Sequence, residues 1–312
     1  MRPLFPALLG LLTACGGNFS NEDLEYLNAL PTREELASKL PDSAAFSGRR
    51  GERLSVGEPS PLYQDTRQAS DNFNTLLDEL LTLVETIRAL PPTTREPHRR
   101  TWGPFTDTNQ PGHEARFVME RQEDANVFTY QFQFKPIQAD DSEWWSFLAG
   151  AFRADAGVRK GEGELHLFVG EAVAKGLHVE GLHPLQQLDV VYQTRELPTR
   201  VEMRLIAQSP SAPAEVRYTY RELPGGWGEM RFIQRDTEAV PGGQKEDVEI
   251  TSRWTPAQGG VGTFIILRGD LTGAGYRECW NPQYEVTYAK RSWELFGTGD
   301  VSTCPDVSGF EG

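Results

Sequence analysis

The side chains able to do chemistry are few, and their spacing is informative mainly for what it lacks. Glu162, Glu164 and His166 alternate along Gly161 to Val169, so a strand there places all three on one face and Leu165, Leu167 and Val169 on the other. Carboxylates at i and i+2 sit about 7 Å apart at their Cα atoms, a separation usable for acid and base work on a glycosidic bond. Any solvated strand face shows the same alternation. His178 and His183 fall close together in His178-Val179-Glu180-Gly181-Leu182-His183, but the spacing is not HExxH and Gly181 disfavours a helix, so the segment reads as a loop without a third metal ligand. No serine occupies a GxSxG elbow, no GxGxxG opens a helix and no GxxxxGK[ST] follows a strand. Asp140-Asp141-Ser142-Glu143 lacks the ligand register of a calcium loop and reads as a turn before Trp144. The sequence thus names no catalytic residue, no metal ligand and no cofactor.

The N-terminus carries a different kind of signal. Arg2 precedes the apolar run Leu4 to Leu12, a charged region followed by a hydrophobic one that is too short to span a bilayer as a helix. Leu12-Thr13-Ala14-Cys15 then resembles the lipobox of bacterial lipoproteins. That resemblance implies cleavage between Ala14 and Cys15, and acyl chains such as palmitate on Cys15 that tether the protein to a membrane of the cell envelope. An Asp just after the lipidated cysteine resembles an inner-membrane retention signal in enteric bacteria. Gly16 stands in that place, so the expected location is the outer membrane.

The formal charge of −14 grows by one when Arg2 leaves with the signal. An acidic surface repels phosphate backbones and anionic headgroups, which excludes nucleic acid as a partner and leaves lipid, not charge, as the membrane attachment. With Cys15 assigned to the anchor, Cys279 and Cys304 remain, an even pair in an oxidising compartment. They are expected to form a disulfide that pins the tail 297–312 and stabilises the fold by roughly 3 kcal/mol.

Elements that could position these residues are read from periodicity. Residues 15–69 read as a lipid-anchored tether with short helical turns, with a capping-box pattern in Thr32-Arg33-Glu34-Glu35 and a polar spacer from Asp42 to Pro61. Phe73, Leu76, Leu77, Leu80, Val84 and Ile87 recur at helical spacing and predict an amphipathic helix at about 70–90, capped by Ser70 or Asp71 and ended by Pro91-Pro92. After a Trp102-Gly103-Pro104 turn the period becomes two. Strands are predicted at 114–121, 126–135, 145–153, 161–169, 188–195, 200–208, 215–222, 228–235, 247–254, 262–268 and 285–293, with short Gly, Pro, Asp or Asn connections that argue antiparallel hairpins.

The expected fold class is mainly β: an antiparallel meander over 70–296 forming a curled sheet, half-barrel or sandwich, with the helix packed against it. A lipid-facing barrel is disfavoured by charges such as Arg116, Glu120, Arg217 and Arg221. Trp144, Trp145, Trp227, Trp254, Trp280 and Trp293 fill the core, line an apolar cavity or stack on sugar. The anchored sheet looks like the carriers and receptors that pass lipoproteins between bacterial membranes, and the Trp102-Gly103-Pro104 element is similar to uncharacterised lipoproteins of Gram-negative bacteria. The expected function is a non-enzymatic envelope lipoprotein that binds an apolar ligand or an envelope protein. The alternatives are a glycan-binding or glycan-active module and a purely structural surface protein. Replacing Cys15 by Ser is expected to move the protein out of the membrane fraction; unchanged fractionation would overturn the lipobox reading.

Overall fold

Period-two alternation over two hundred residues has one outcome, a long antiparallel meander. The computed structural model describes residues 19–40, 56–106, 108–122, 126–155, 157–182, 184–196, 199–208, 214–237 and 243–310. Ala14, Cys15, most of the polar stretch 42–61, His183, Glu123-Asp124-Ala125 and Leu197-Pro198 lie outside the described residues. Fifteen strands form one sheet whose order follows the chain: β1 (Thr94–Glu96), β2 (Arg99–Thr106), β3 (His113–Gln122), β4 (Val127–Pro136), β5 (Trp145–Ala154), β6 (Gly161–Leu167), β7 (Leu185–Gln193), β8 (Thr199–Ala207), β9 (Glu215–Leu223), β10 (Trp227–Thr237), β11 (Glu246–Thr255), β12 (Gly259–Arg268), β13 (Gly275–Trp280), β14 (Val286–Arg291) and β15 (Thr298–Gly299). One sheet replaces the two of a sandwich. The edge strands β1 and β15 are very short, which limits unpaired backbone for edge-to-edge association.

Four helices accompany the sheet: α1 (Asn21–Asn28), α2 (Arg33–Leu36), α3 (Pro61–Arg88) and α4 (Val169–Ala174). The chain divides into two compact units rather than the single β-domain expected. The first comprises residues 19–36, 76–196 and 205–208, and the second residues 37–40, 56–75, 199–204 and 214–310, within the described chain.

In the first unit the expected tether is part of the body. Tyr26, Leu27, Leu30 and Leu36 are buried, and the Tyr26 ring meets Phe128 edge-on at 5.4 Å. The anchor for this packing is Asp23, which is fully buried. It completes a capping box with Ser20, whose N–H it accepts at 2.9 Å while Ser20 Oγ accepts its own N–H at 3.0 Å. Its carboxylate also accepts Arg100 Nε at 2.7 Å and Arg95 Nε at 3.0 Å. The Arg100 guanidinium, equally buried, donates to the carbonyls of Glu96 and Arg99 and lies over Tyr26 at 4.8 Å. Burial raises the Asp23 pKa, but the Ser20 and arginine donors outweigh it and bring the group from 3.8 down to about 2.

Trp102-Gly103-Pro104 is not a turn ahead of the strands but a register shift inside β2, between Trp102 and Phe105. Trp102 is fully buried and its indole N–H donates to the carbonyl of Leu90 at 2.8 Å. That bond ties β2 to the segment leaving α3.

The second unit holds the first half of α3, which starts at Pro61 rather than near residue 70. Ser60 Oγ accepts the Tyr63 N–H at 3.0 Å, and Pro61 suits the first helical position because its missing N–H is not needed there. Buried Glu278 on β13 accepts the Leu62 N–H at 2.8 Å and the hydroxyls of Ser60 and Tyr276. Burial pushes its carboxyl up against those three donors. Further along the same face, Thr66 meets Ser252 at 2.6 Å and Ser70 meets Ser38 at 2.6 Å, so Ser70 lies inside the helix and does not cap it. Cys279 and Cys304 are bridged, with Cα atoms 5.2 Å apart. Beyond the bridge Phe310 is buried beside Trp227 and its carbonyl accepts Arg221 Nη2 at 3.0 Å.

Replacing Asp23 by Asn removes the buried one of the two carboxylates that pair with Arg100, leaving only the exposed Glu22 at 2.6 Å, and is expected to destabilise the protein by about 3 kcal/mol in urea unfolding. The sign of the pH dependence is set by the lowered pKa: the contribution of Asp23 is present above its ordinary 3.8 and is lost as pH falls towards about 2, a term of about 2 kcal/mol absent from the Asn variant. Replacing Cys304 by Ser is expected to lower unfolding stability by about 3 kcal/mol.

Candidate functional site

The chemistry-bearing residues singled out by sequence are present as a charged strand ladder. On β6, Glu162 and Glu164 are exposed and His166 is half-buried, while Gly161, Gly163, Leu165 and Leu167 face inward. Glu162 lies 3.3 Å from Arg195. His166 Nδ1 bonds to Asp189 on β7 at 2.8 Å, Asp189 also accepts Gln187 Nε2 at 2.7 Å, and His166 Nε2 stands 3.6 Å from Glu164. These groups use one another as partners, with Glu162 on Arg195 and His166 between Asp189 and Glu164. His178 is exposed in a loop whose backbone is pinned by Gln110, which donates to its carbonyl at 2.8 Å and accepts its N–H at 2.9 Å. Asp141 pairs with Lys135 at 3.1 Å and accepts the Trp144 indole N–H at 3.2 Å. Among the described residues no three His, Cys, Asp or Glu side chains are arranged to hold a metal.

The aromatics resolve towards the core. Trp145, Trp254 and Trp280 are buried, and two of them lie flat over strand glycines. A Cβ on Gly228 would fall 2.2 Å from the Trp254 ring, and one on Gly260 2.3 Å from Trp280. In the first unit Gly163 leaves the same kind of space for Tyr192. Gly163 is therefore a site of close ring approach. Trp144 is covered by Arg116, 4.2 Å from its ring, which occupies a face that a sugar would need.

One apolar concavity stands out within the first unit, at the end of β3, β4 and β5. It is an open cleft of about 210 Å³ lined by Phe128, Phe152, Ala29, Ala154 and Val158, with Glu25, Asn28, Arg121, Asn126 and Arg159 at its rim. α1 supplies one wall. The connection from β5 to β6 supplies the other: Gly157 there has φ of 121° and Arg159 φ of 60°, a left-handed pair that lifts Val158 to the tip, where it is 73% exposed.

The rim is charged but internally neutralised. Arg121 pairs with Glu25 at 2.5 Å and its guanidinium lies 5.2 Å from the Phe128 ring. Arg159 pairs with Glu35 at 2.7 Å, and its own carbonyl accepts the Thr194 hydroxyl at 3.0 Å. Burial raises the Glu35 pKa, yet Arg159 outweighs it and holds the carboxyl below its ordinary value. Asn126 Nδ2 donates to the carbonyl of Ala154 at 2.6 Å. The cleft therefore offers an apolar floor inside a fixed rim whose charges are already matched, an arrangement that suits an uncharged, apolar guest.

Sequence reasoning named none of these residues as a site. Phe128 was legible only as one member of an alternating strand. Val158, an isolated apolar residue in Asp155-Ala156-Gly157-Val158-Arg159-Lys160, was the available signal. No family model matches this chain, and neither does any curated protein or solved structure.

Proposed function

We propose that this chain is a lipid-anchored protein of the bacterial cell envelope, held at the outer membrane through Cys15, and that its folded part is a non-catalytic binding module. The observation that carries the reading is the cleft of about 210 Å³ with an apolar floor and a self-paired rim. Pockets for drug-sized molecules run to about 300–1,000 Å³, so this volume suits a short apolar group better than a whole lipid. An apolar side chain from an envelope protein fits that size, with the polar rim left to contact the surrounding backbone.

Burial of one such side chain supplies about 1.5–3 kcal/mol, enough to orient a partner but not to hold it alone. The charged ladder of Glu162, Glu164 and His166 does not line this cleft, and the carboxylates beside it, Glu25 and Glu35, are already paired with Arg121 and Arg159. Binding is therefore favoured over glycan chemistry.

A photo-reactive phenylalanine analogue in place of Val158 is expected to crosslink a discrete envelope protein in cells. Filling the floor by Ala154→Trp is expected to weaken that adduct about tenfold, the equivalent of 1.4 kcal/mol, without changing the unfolding midpoint. A crosslink to lipid would instead identify an acyl chain as the guest. Absence of any adduct, or an adduct indifferent to Ala154→Trp, would overturn the cleft as the binding site.

A further inference from the structure

Three large apolar side chains stand in water where nothing in their own unit covers them. In the connection from β14 to β15, Trp293 is 69% exposed, Leu295 80% and Phe296 81%. Sequence alternation extends the strand through Trp293, but the strand ends at Arg291, because the next turn is closed by its own acid. Glu294 folds back to accept the Arg291 N–H at 3.0 Å and Arg291 Nη1 at 2.8 Å, while its N–H donates to the Arg291 carbonyl at 3.1 Å. The loop thereby engages its single charge in a local pair and projects its apolar members.

The loop is also held at both ends. Ser292 and Gly275 exchange two hydrogen bonds of 2.9 and 3.0 Å, and Gly297 sits so close to the Tyr288 ring that an added Cβ would fall 2.6 Å away. Gly275 is paired with Ile265 on β12, so half-exposed Ile265 and Leu267 lie at the same end of these strands. Behind the tip, Arg277 and Lys290 are direct cross-strand partners, two cations side by side where an anionic group would relieve their repulsion.

We infer that Trp293, Leu295 and Phe296 form a bilayer-contact loop that inserts into the interfacial zone of the membrane, with Arg277 and Lys290 placed for lipid phosphates. Trp and Phe on a charged base match the composition of interfacial anchors. A chain of charge −14 cannot adhere to an envelope membrane through net charge, so any contact beyond the acyl group has to be apolar and local. The inference rests in one respect on the anchored reading, which holds the chain at a membrane through Cys15.

The test uses the full acylated protein in phosphatidylcholine vesicles with brominated acyl chains. Bromine quenching of tryptophan emission is expected in the wild type, and that quenched component is expected to vanish in Trp293→Phe, which keeps an apolar loop and an intact fold. In the unacylated Cys15→Ser chain, Leu295→Ser/Phe296→Ser is expected to reduce the vesicle-bound fraction roughly fivefold, with near-ultraviolet circular dichroism unchanged. Equal quenching in wild type and Trp293→Phe would overturn the inference, including the case where the loop variants lose a co-purifying protein, which would make the loop a protein contact. Mass analysis of the Cys15 peptide separates the two readings. Absence of acyl mass with Trp293 still quenched sinks the anchor alone, whereas acylated Cys15 with Trp293 unquenched sinks the loop alone.

Discussion

The carboxylate of Glu278 is the constraint on which the second unit is arranged. The first turn of any helix presents amide donors without intrahelical partners, and burying the start of α3 against a sheet would strand them. Glu278 meets that demand from β13, taking the Leu62 amide and the Ser60 hydroxyl with one oxygen and the Tyr276 hydroxyl with the other. Because Ser60 also accepts the Tyr63 amide, the helix can begin at one residue only. The starting residue sets the facing contacts: Leu62 lands against Gly262, and Thr66, one turn later, against Ser252. The first unit solves the same problem with Asp23, whose helix is capped by Ser20 and whose charge is matched by two arginines of the sheet. The two acids differ in what burial does to them. Arginine partners bring Asp23 down, whereas Glu278 has only neutral donors and burial pushes it up.

Large rings over small strand residues decide how the cores close. Trp254 over Gly228, Trp280 over Gly260 and Tyr192 over Gly163 occupy volume that side chains on those strands would otherwise take. Rings packed in this way fill core volume themselves, so an aromatic-rich sheet does not by itself imply an internal lipid cavity. The outward faces carry exposed ion pairs, such as Arg200 with Glu202 and Arg268 with Asp236. Single exposed pairs of this type contribute little to stability. Their effect is to keep long strand faces wet, so the most exposed large apolar groups among the described residues, Val158, Trp293, Leu295 and Phe296, become informative.

What the sequence discloses and what it hides both have physical reasons. All eleven predicted strands are present, because half-buried strands must alternate. β1, β2, β13 and β15 escaped notice: β1 and β15 are three and two residues long, β2 is interrupted at Gly103-Pro104, and β13 reads Gly-Tyr-Arg-Glu-Cys-Trp, with a buried acid where alternation would place an apolar residue. The start of α3 was hidden for the same reason. Its buried face carries Thr66, Ala69 and Ser70, which hydrogen-bond or pack closely without registering as a hydrophobic stripe. Residues 19–36 resembled a tether because Tyr26, Leu27, Ala29, Leu30 and Leu36, spread through a polar segment, look sparse until Asp23 and Arg100 are seen as an internal pair. The cleft was illegible since its floor and walls come from four separate segments brought together only by the fold.

The placement of α1 constrains what the cleft can meet. If Cys15 is acylated, the polar stretch 42–61 does not lie between the lipid and the first folded residues, because α1 begins at Asn21, before that stretch. Six extended residues and one helical turn separate Cys15 from Glu25 at the rim, a reach under about 30 Å. The cleft therefore operates within a protein's width of the bilayer surface, and a partner free in the periplasm would gain no advantage from a receptor tethered so tightly. A membrane-proximal segment of another envelope protein would: tethering both molecules to one surface raises their effective concentration, and a site worth only the burial of one side chain then suffices. On the proposed anchoring, a short tether, a small apolar cleft and an acidic surface together favour weak, close-range capture of an uncharged group at the membrane.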